Sequence, residues 1–104
     1  MGTLIKGNPW VWVVVQDPGG HEQFLGQKDE EMNLSFIPLF LDKEAAAQCL
    51  PFLARTKGLK YEVQAILYED LTDYASKNGL MIFILDGAGK VLEKVGPGNQ
   101  DAGK

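Results

Sequence analysis

Two stretches are apolar at every position, Trp10 to Val15 (Trp-Val-Trp-Val-Val-Val) and Leu80 to Leu85, six residues each. β-Branched and aromatic side chains with no helical period predict strands that are buried on both faces. Leu34 to Leu41 predicts a third strand of this kind. Pro38 within it lacks a ladder donor, which places that position at an edge, a bulge or the strand start. Leu59 to Leu67 alternates instead: Tyr61, Val63 and Ala65 share one face while Lys60, Glu62 and Gln64 share the other, so this strand is half-exposed. His21 to Gln27 predicts a short strand, and Val91 to Val95 an amphipathic one.

The 3.6-residue period occurs twice. Ala46, Cys49, Leu50, Leu53 and Ala54 form one apolar stripe, with Asp42 as N-cap and Glu44 in the first turn. Pro51 falls inside this stripe. It removes the hydrogen bond to the carbonyl of Ala47 and should kink or divide the helix, which Gly58 then ends. The second helix begins near Glu69: Glu69 and Asp70 lie in its first turn, and Leu71, Tyr74 and Ala75 form its stripe. Lys77 sits in its last turn, and Asn78-Gly79 provides a left-handed stop. Asp17-Pro18-Gly19-Gly20 and Asp86-Gly87-Ala88-Gly89 carry turn chemistry, and Lys28-Asp29-Glu30-Glu31 reads as a solvated acidic loop.

These elements predict an α+β fold, a mixed sheet of five to six strands with two helices in the order β-β-β-α-β-α-β-β. Residues 1–96 form the predicted domain. The sequence from 97 to 104 has almost nothing to bury and is expected to be a flexible tail.

Charge and composition then exclude several partners. The 104 residues carry 10 basic and 14 acidic side chains, a net charge of −4, and the lysines are scattered. Nucleic acids and anionic membrane surfaces are held by clustered Lys and Arg, so neither is expected as a partner. No apolar run approaches the roughly 20 residues of a membrane-spanning helix. The first residues show no targeting pattern. A single cysteine excludes an internal disulfide framework and suits a reducing compartment, so a cytoplasmic location is expected.

Candidate chemistry is sparse. His21 follows the Pro18–Gly20 turn, where a base is easily presented, but no nucleophile or second ligand lies near it in sequence. Cys49 sits on the apolar stripe of the first helix and reads as a buried structural thiol. Asp86-Gly87-Ala88-Gly89-Lys90 lacks the spacing of a phosphate loop and precedes a strand, not a helix. Asp29, Glu30 and Glu31 read as a solvated run, and Glu69, Asp70 and Asp73 as helix-start chemistry. No catalytic residue, metal site or cofactor is therefore expected.

Ile-Pro-Leu-Phe-Leu-Asp-Lys-Glu-Ala-Ala-Ala from Ile37, Tyr61-Glu-Val-Gln-Ala-Ile66, Glu69-Asp-Leu-Thr-Asp-Tyr-Ala75 and Gly79-Leu-Met-Ile-Phe-Ile-Leu-Asp86 together resemble the N-terminal domain of SseB-type (enhanced serine sensitivity) proteins. They are also similar to a related family of small uncharacterised α/β proteins. The resemblance covers Ile37 to Val95 and implies a small non-enzymatic or regulatory domain. More locally, Tyr61 to Val95 looks like the second half of a thioredoxin fold, without a Cys-x-x-Cys motif and without the proline that would precede Leu80.

Three two-sided strands and only two helices raise the question of what covers the sheet. If the strands run parallel in sequence order, right-handed crossovers put both helices on one side. The other face then needs a hairpin, the N-terminal segment, a second copy of the chain or a different protein. Trp10, Trp12 and Val14 share one face of the first strand and read either as core residues or as the contact residues, tryptophan being enriched at binding hot spots. The leading expectation is a protein-interaction or regulatory module that binds a protein partner or itself. The alternative is a small enzyme or ligand-binding domain using the loop from Pro18 to His21.

Overall fold

The structure is a computed structural model in which residues 4–96 are described. It is α+β, with seven strands and two α-helices: β1 (Trp10–Gln16), β2 (Gln23–Phe24), β3 (Gln27–Asp29), β4 (Leu34–Leu39), α1 (Lys43–Cys49), β5 (Tyr61–Leu67), α2 (Tyr68–Lys77), β6 (Met81–Leu85) and β7 (Val91–Val95). None of the described helices is long and apolar enough to cross a membrane. The expected tail over 97–104 lies outside the described residues.

The strands form two sheets, β2-β1-β5 and β3-β4-β6-β7. They meet where Trp12 and Phe40 exchange N–H to carbonyl bonds of 2.9 and 2.8 Å. Through that bridge the strands run β5-β1-β4-β6-β7. β5 is antiparallel to β1, β1 is antiparallel to the end of β4, and β4 is parallel to β6. β4, β5 and β6 are thus mutually parallel.

This order corrects the expected placement of the helices. α1 leads from β4 outward past β1 to β5, and α2 leads back from β5 to β6. Two right-handed connections that run in opposite directions across a sheet lie on opposite faces. Ala46 and Cys49 of α1 accordingly pack with Val14, Phe40, Phe83 and Leu85. Leu71 and Ala75 of α2 pack with Val11, Val13, Val15, Ile37, Leu39, Ile82 and Ile84. Alternation along β1, β4 and β6 feeds both faces, as two-sided apolar strands require.

The strand count also differs from the five to six expected. The segment from His21 to Gln27 divides, because its partner changes: β2 pairs with β1, whereas β3 pairs with β4. Lys28 and Asp29 thereby lie in a strand and not in a loop. Pro38 occupies a gap. Phe40 turns its N–H toward Trp12, so by the two-residue repeat the nitrogen of Pro38 faces the same edge, where pairing with β3 has already ended at Phe36.

Local signals explain the helix ends. The Asp42 carboxylate accepts the Ala45 N–H at 2.8 Å and caps α1. Pro51 then stops the α-helix at Cys49, and Leu50–Phe52 continue as a 3₁₀ turn. Gly58 lies well beyond that end, in the following loop. α2 closes on a Schellman motif: Gly79 has φ 66°, its N–H bonds Ser76 at 3.3 Å, and the Leu80 N–H bonds Ala75 at 2.8 Å.

The N-terminal segment completes the α2 face. Ile5 is buried in that core, and the Leu4 N–H donates to Glu93 Oε1 at 2.7 Å. Asn8 Oδ1 accepts the Glu69 N–H at 2.8 Å, supplying the cap that Leu67 cannot.

Candidate functional site

A seven-residue helix is about 10 Å long, whereas a seven-residue strand spans roughly 23 Å, so α1 cannot cover the whole of β1. The result is graded along the strand. Val14 is buried with Ala46 and Cys49 and offers no surface to a partner. Trp12 is half-buried, with the Lys43 ammonium 5.8 Å from its ring centroid, close enough for a cation–π contact. Trp10 is 61% exposed. Of the three residues named from sequence, one is core, one is shared and one is surface.

Beside them runs β5. Trp10 is opposite Leu67 and Trp12 opposite Ala65, so these side chains share a face, on which Ala65 is exposed and Leu67 half-buried. The edge itself can be read from two bonds that extend this register, Asp17 N–H to the Lys60 carbonyl (2.8 Å) and Tyr68 N–H to the Pro9 carbonyl (2.9 Å). Even-numbered residues of β5 therefore face β1. By alternation the N–H and C=O groups of Tyr61, Val63 and Ala65 and the N–H of Leu67 point outward, the Leu67 carbonyl opening α2 as its N-cap, and among the described residues no strand pairs with that edge.

A second depression, a groove of about 530 Å³, lies on the α1 face toward β7. Its floor is the stacked pair Phe36 and Phe83, with ring centroids 4.0 Å apart, and Leu53 and Val91 line it. Phe52 stands at its rim, 71% exposed. Asp29, Glu30 and Glu31 border it. Asp29 Oδ1 is occupied by the N–H groups of Glu31 (3.1 Å) and Met32 (3.3 Å), which makes it the cap of the β3–β4 turn. The Lys94 ammonium lies 5.1 Å from the Phe83 ring.

The Pro18–His21 loop is built by Asp17. This residue has φ 56°, its carboxylate accepts the His21 N–H at 3.0 Å, and its carbonyl accepts the Gly20 N–H at 3.1 Å. Asp17 Oδ2 lies 2.8 Å from where a Cβ at position 20 would sit, so a larger residue there would displace the carboxylate that holds the His21 N–H. His21 is exposed. The backbone bonds account for the loop's shape.

Cys49 is fully buried. Burial first, and then the Asp86 carboxylate, push its thiol above the ordinary value, so it is held protonated and a poor nucleophile. Asp86 itself organises the turn before β7, its Oδ1 accepting the N–H groups of Ala88 and Lys90 at 2.9 Å each. Glu69 and Asp70 open α2, and Asp73 pairs with Lys77 at 3.1 Å on its exposed side. Among the described residues, no three of His, Cys, Asp and Glu are grouped to hold a metal ion.

Sequence reasoning missed Phe52 and the β5 edge. Pro51 was the signal for the first, since a helix broken there swings the next side chain out of the stripe. The edge position of β5 depends on which strand β1 chooses, and no local pattern carries that choice. In comparisons with known proteins, no family model, no curated protein and no solved structure matches the chain.

Proposed function

We propose that the chain is a non-catalytic protein-interaction module whose docking surface is the end of the α1 face formed by Trp10, the outer part of Trp12, Ala65 and Leu67. One observation carries the reading: Trp10 is 61% exposed although it belongs to a regular strand paired throughout with β5. Tryptophan holds a large apolar area on few rotatable bonds, so an ordered and exposed one is suited to anchor an interface. Val14 takes no part beyond supporting the strand from beneath. A partner that fits this surface presents an apolar face, since Ala65 and Leu67 offer no charge.

Site-specific photocrosslinking tests the proposal. A photoreactive residue replacing Trp10, in cells that express the chain, is expected to give a discrete protein adduct, and the same residue replacing exposed Ser76 on α2 none. Equal adducts from both positions, or none from position 10, would overturn it.

A further inference from the structure

The geometry points to a second copy of this chain as the partner of the β5 edge beside that surface, paired in antiparallel fashion about a two-fold axis at Gln64. This pairing goes beyond the docking surface proposed above, which lies on the sheet face, and concerns the open edge next to it.

The other edges of the two sheets are guarded. β2 and β3 are two and three residues long, and β7 carries Lys94 within it and pairs with β6 through an irregular register at Ile84/Leu85. Short strands, lysines and bulges are the usual means of keeping edges from pairing. β5 has none of them. Its seven residues, Tyr-Glu-Val-Gln-Ala-Ile-Leu, include no lysine, proline or glycine, and four of them aim a backbone N–H outward.

The same sequence is complementary to itself when reversed. With the axis at Gln64, Tyr61 meets Leu67 of the second copy, and Val63 meets its Ala65. Val63 and Ala65 are then engaged in full hydrogen-bonded pairs, and the Leu67 N–H reaches the Tyr61 carbonyl. On the opposite face Glu62 meets Ile66, and Gln64 meets Gln64, whose amides can bond each other. Moving the axis to Val63 or Ala65 leaves one outward residue without a partner in β5, and moving it to Glu62 sets two carboxylates against each other. Such a closed, two-fold contact extends the β2-β1-β5 sheet across both copies and sets Leu67 between Trp10 of its own chain and Tyr61 of the other copy.

Sedimentation of the full chain over a dilution series, together with two variants, tests this. The unaltered chain is expected to dimerise reversibly. Ala65→Pro removes an N–H that faces outward and bonds nothing within the chain, so it is expected to weaken the dimer at least about tenfold while circular dichroism stays unchanged. Gln64→Cys is expected to give a disulfide-linked dimer on mild oxidation, because directly opposed, non-hydrogen-bonded residues lie about 4.5 Å apart at Cα. Glu62→Cys is expected to give none. A chain that stays single at every concentration overturns self-pairing, and leaves the docking surface to be judged by the crosslink from position 10. A dimer indifferent to Ala65→Pro and not linked through position 64 also overturns it; if Trp10→Asp dissolves that dimer, the docking surface stands and only the edge pairing falls.

Discussion

The two faces of the sheet solve the same covering problem with different resources. On the α2 face the fully buried side chains are aliphatic, with Phe24, Tyr68 and Tyr74 packed around them, the helix has ten residues, and the N-terminal segment adds Ile5 and a cap from Asn8. On the α1 face the core includes Phe40 and Phe83, the helix has seven residues, and Pro51 stops it short. The difference leaves Trp10 and Phe52 outside on the α1 side, and shows that recognition surface arises where local signals end a helix before its sheet is covered.

The largest test of this contrast concerns the two cores. Phe40→Ala, on the α1 side, is expected to lower stability by about 3–5 kcal/mol, and Leu71→Ala, on the α2 side, by about 2–5 kcal/mol, as read by urea unfolding. A cost under about 1.5 kcal/mol at Phe40 would mean that the α1 face is not closed around its rings, and the contrast would have to be redrawn as a core facing a loose flap. The helix ends come next. Asp42→Ala should cost about 1 kcal/mol by loss of the α1 cap, and Gly79→Ala about 1–2 kcal/mol by forcing a left-handed conformation on a residue with a Cβ, although nothing lies within 4 Å to clash.

Alkaline titration separates the faces again. Cys49 on one side and Tyr68 on the other are both raised above their ordinary values, chiefly by burial, with Asp86 and Glu93 adding to the effect. Each unfolded group then releases its proton at a lower pH than the folded one. Stability should hold below the unfolded values and fall as pH rises through the folded ones, and Cys49→Ala should flatten the part due to the thiol, as followed by unfolding at a series of pH values. The smallest effect is expected at the surface, where Trp10→Ser and Phe52→Ser should each change stability by no more than about 0.5 kcal/mol. A larger loss at Trp10 would make it a structural residue and weaken its assignment to an interface.

Much of the fold is legible in single stretches of chain. The acids, stripe, lysine and Asn-Gly of the second helix lie within eleven residues and find their structural counterparts together. Asp42, Pro51 and Asp86 likewise act through neighbours only. What escapes is decided at a distance. The α2 cap comes from Asn8, 61 residues away in sequence, and the division of β2 from β3 follows from the location of β1 and β4. The helices take opposite faces because β5 lies beyond β1, a strand order on which neither helix sequence bears. The same limit applies to the candidate site: Trp10 and Trp12 stand out by residue type, whereas the open edge beside them is set by that strand order.

The register of β1 on β5, with Val14 opposite Val63, has a consequence for synthesis. The most apolar strand leaves the ribosome about fifty residues before its long partner. At roughly 5–20 residues per second that is a wait of about 3–10 s, during which Trp-Val-Trp-Val-Val-Val has only the two residues of β2 and the single bridge to Phe40 to pair with. Such a segment is a strong aggregation seed while it is unpaired, so the nascent chain should depend on holding factors during translation far more than the finished protein depends on them afterwards.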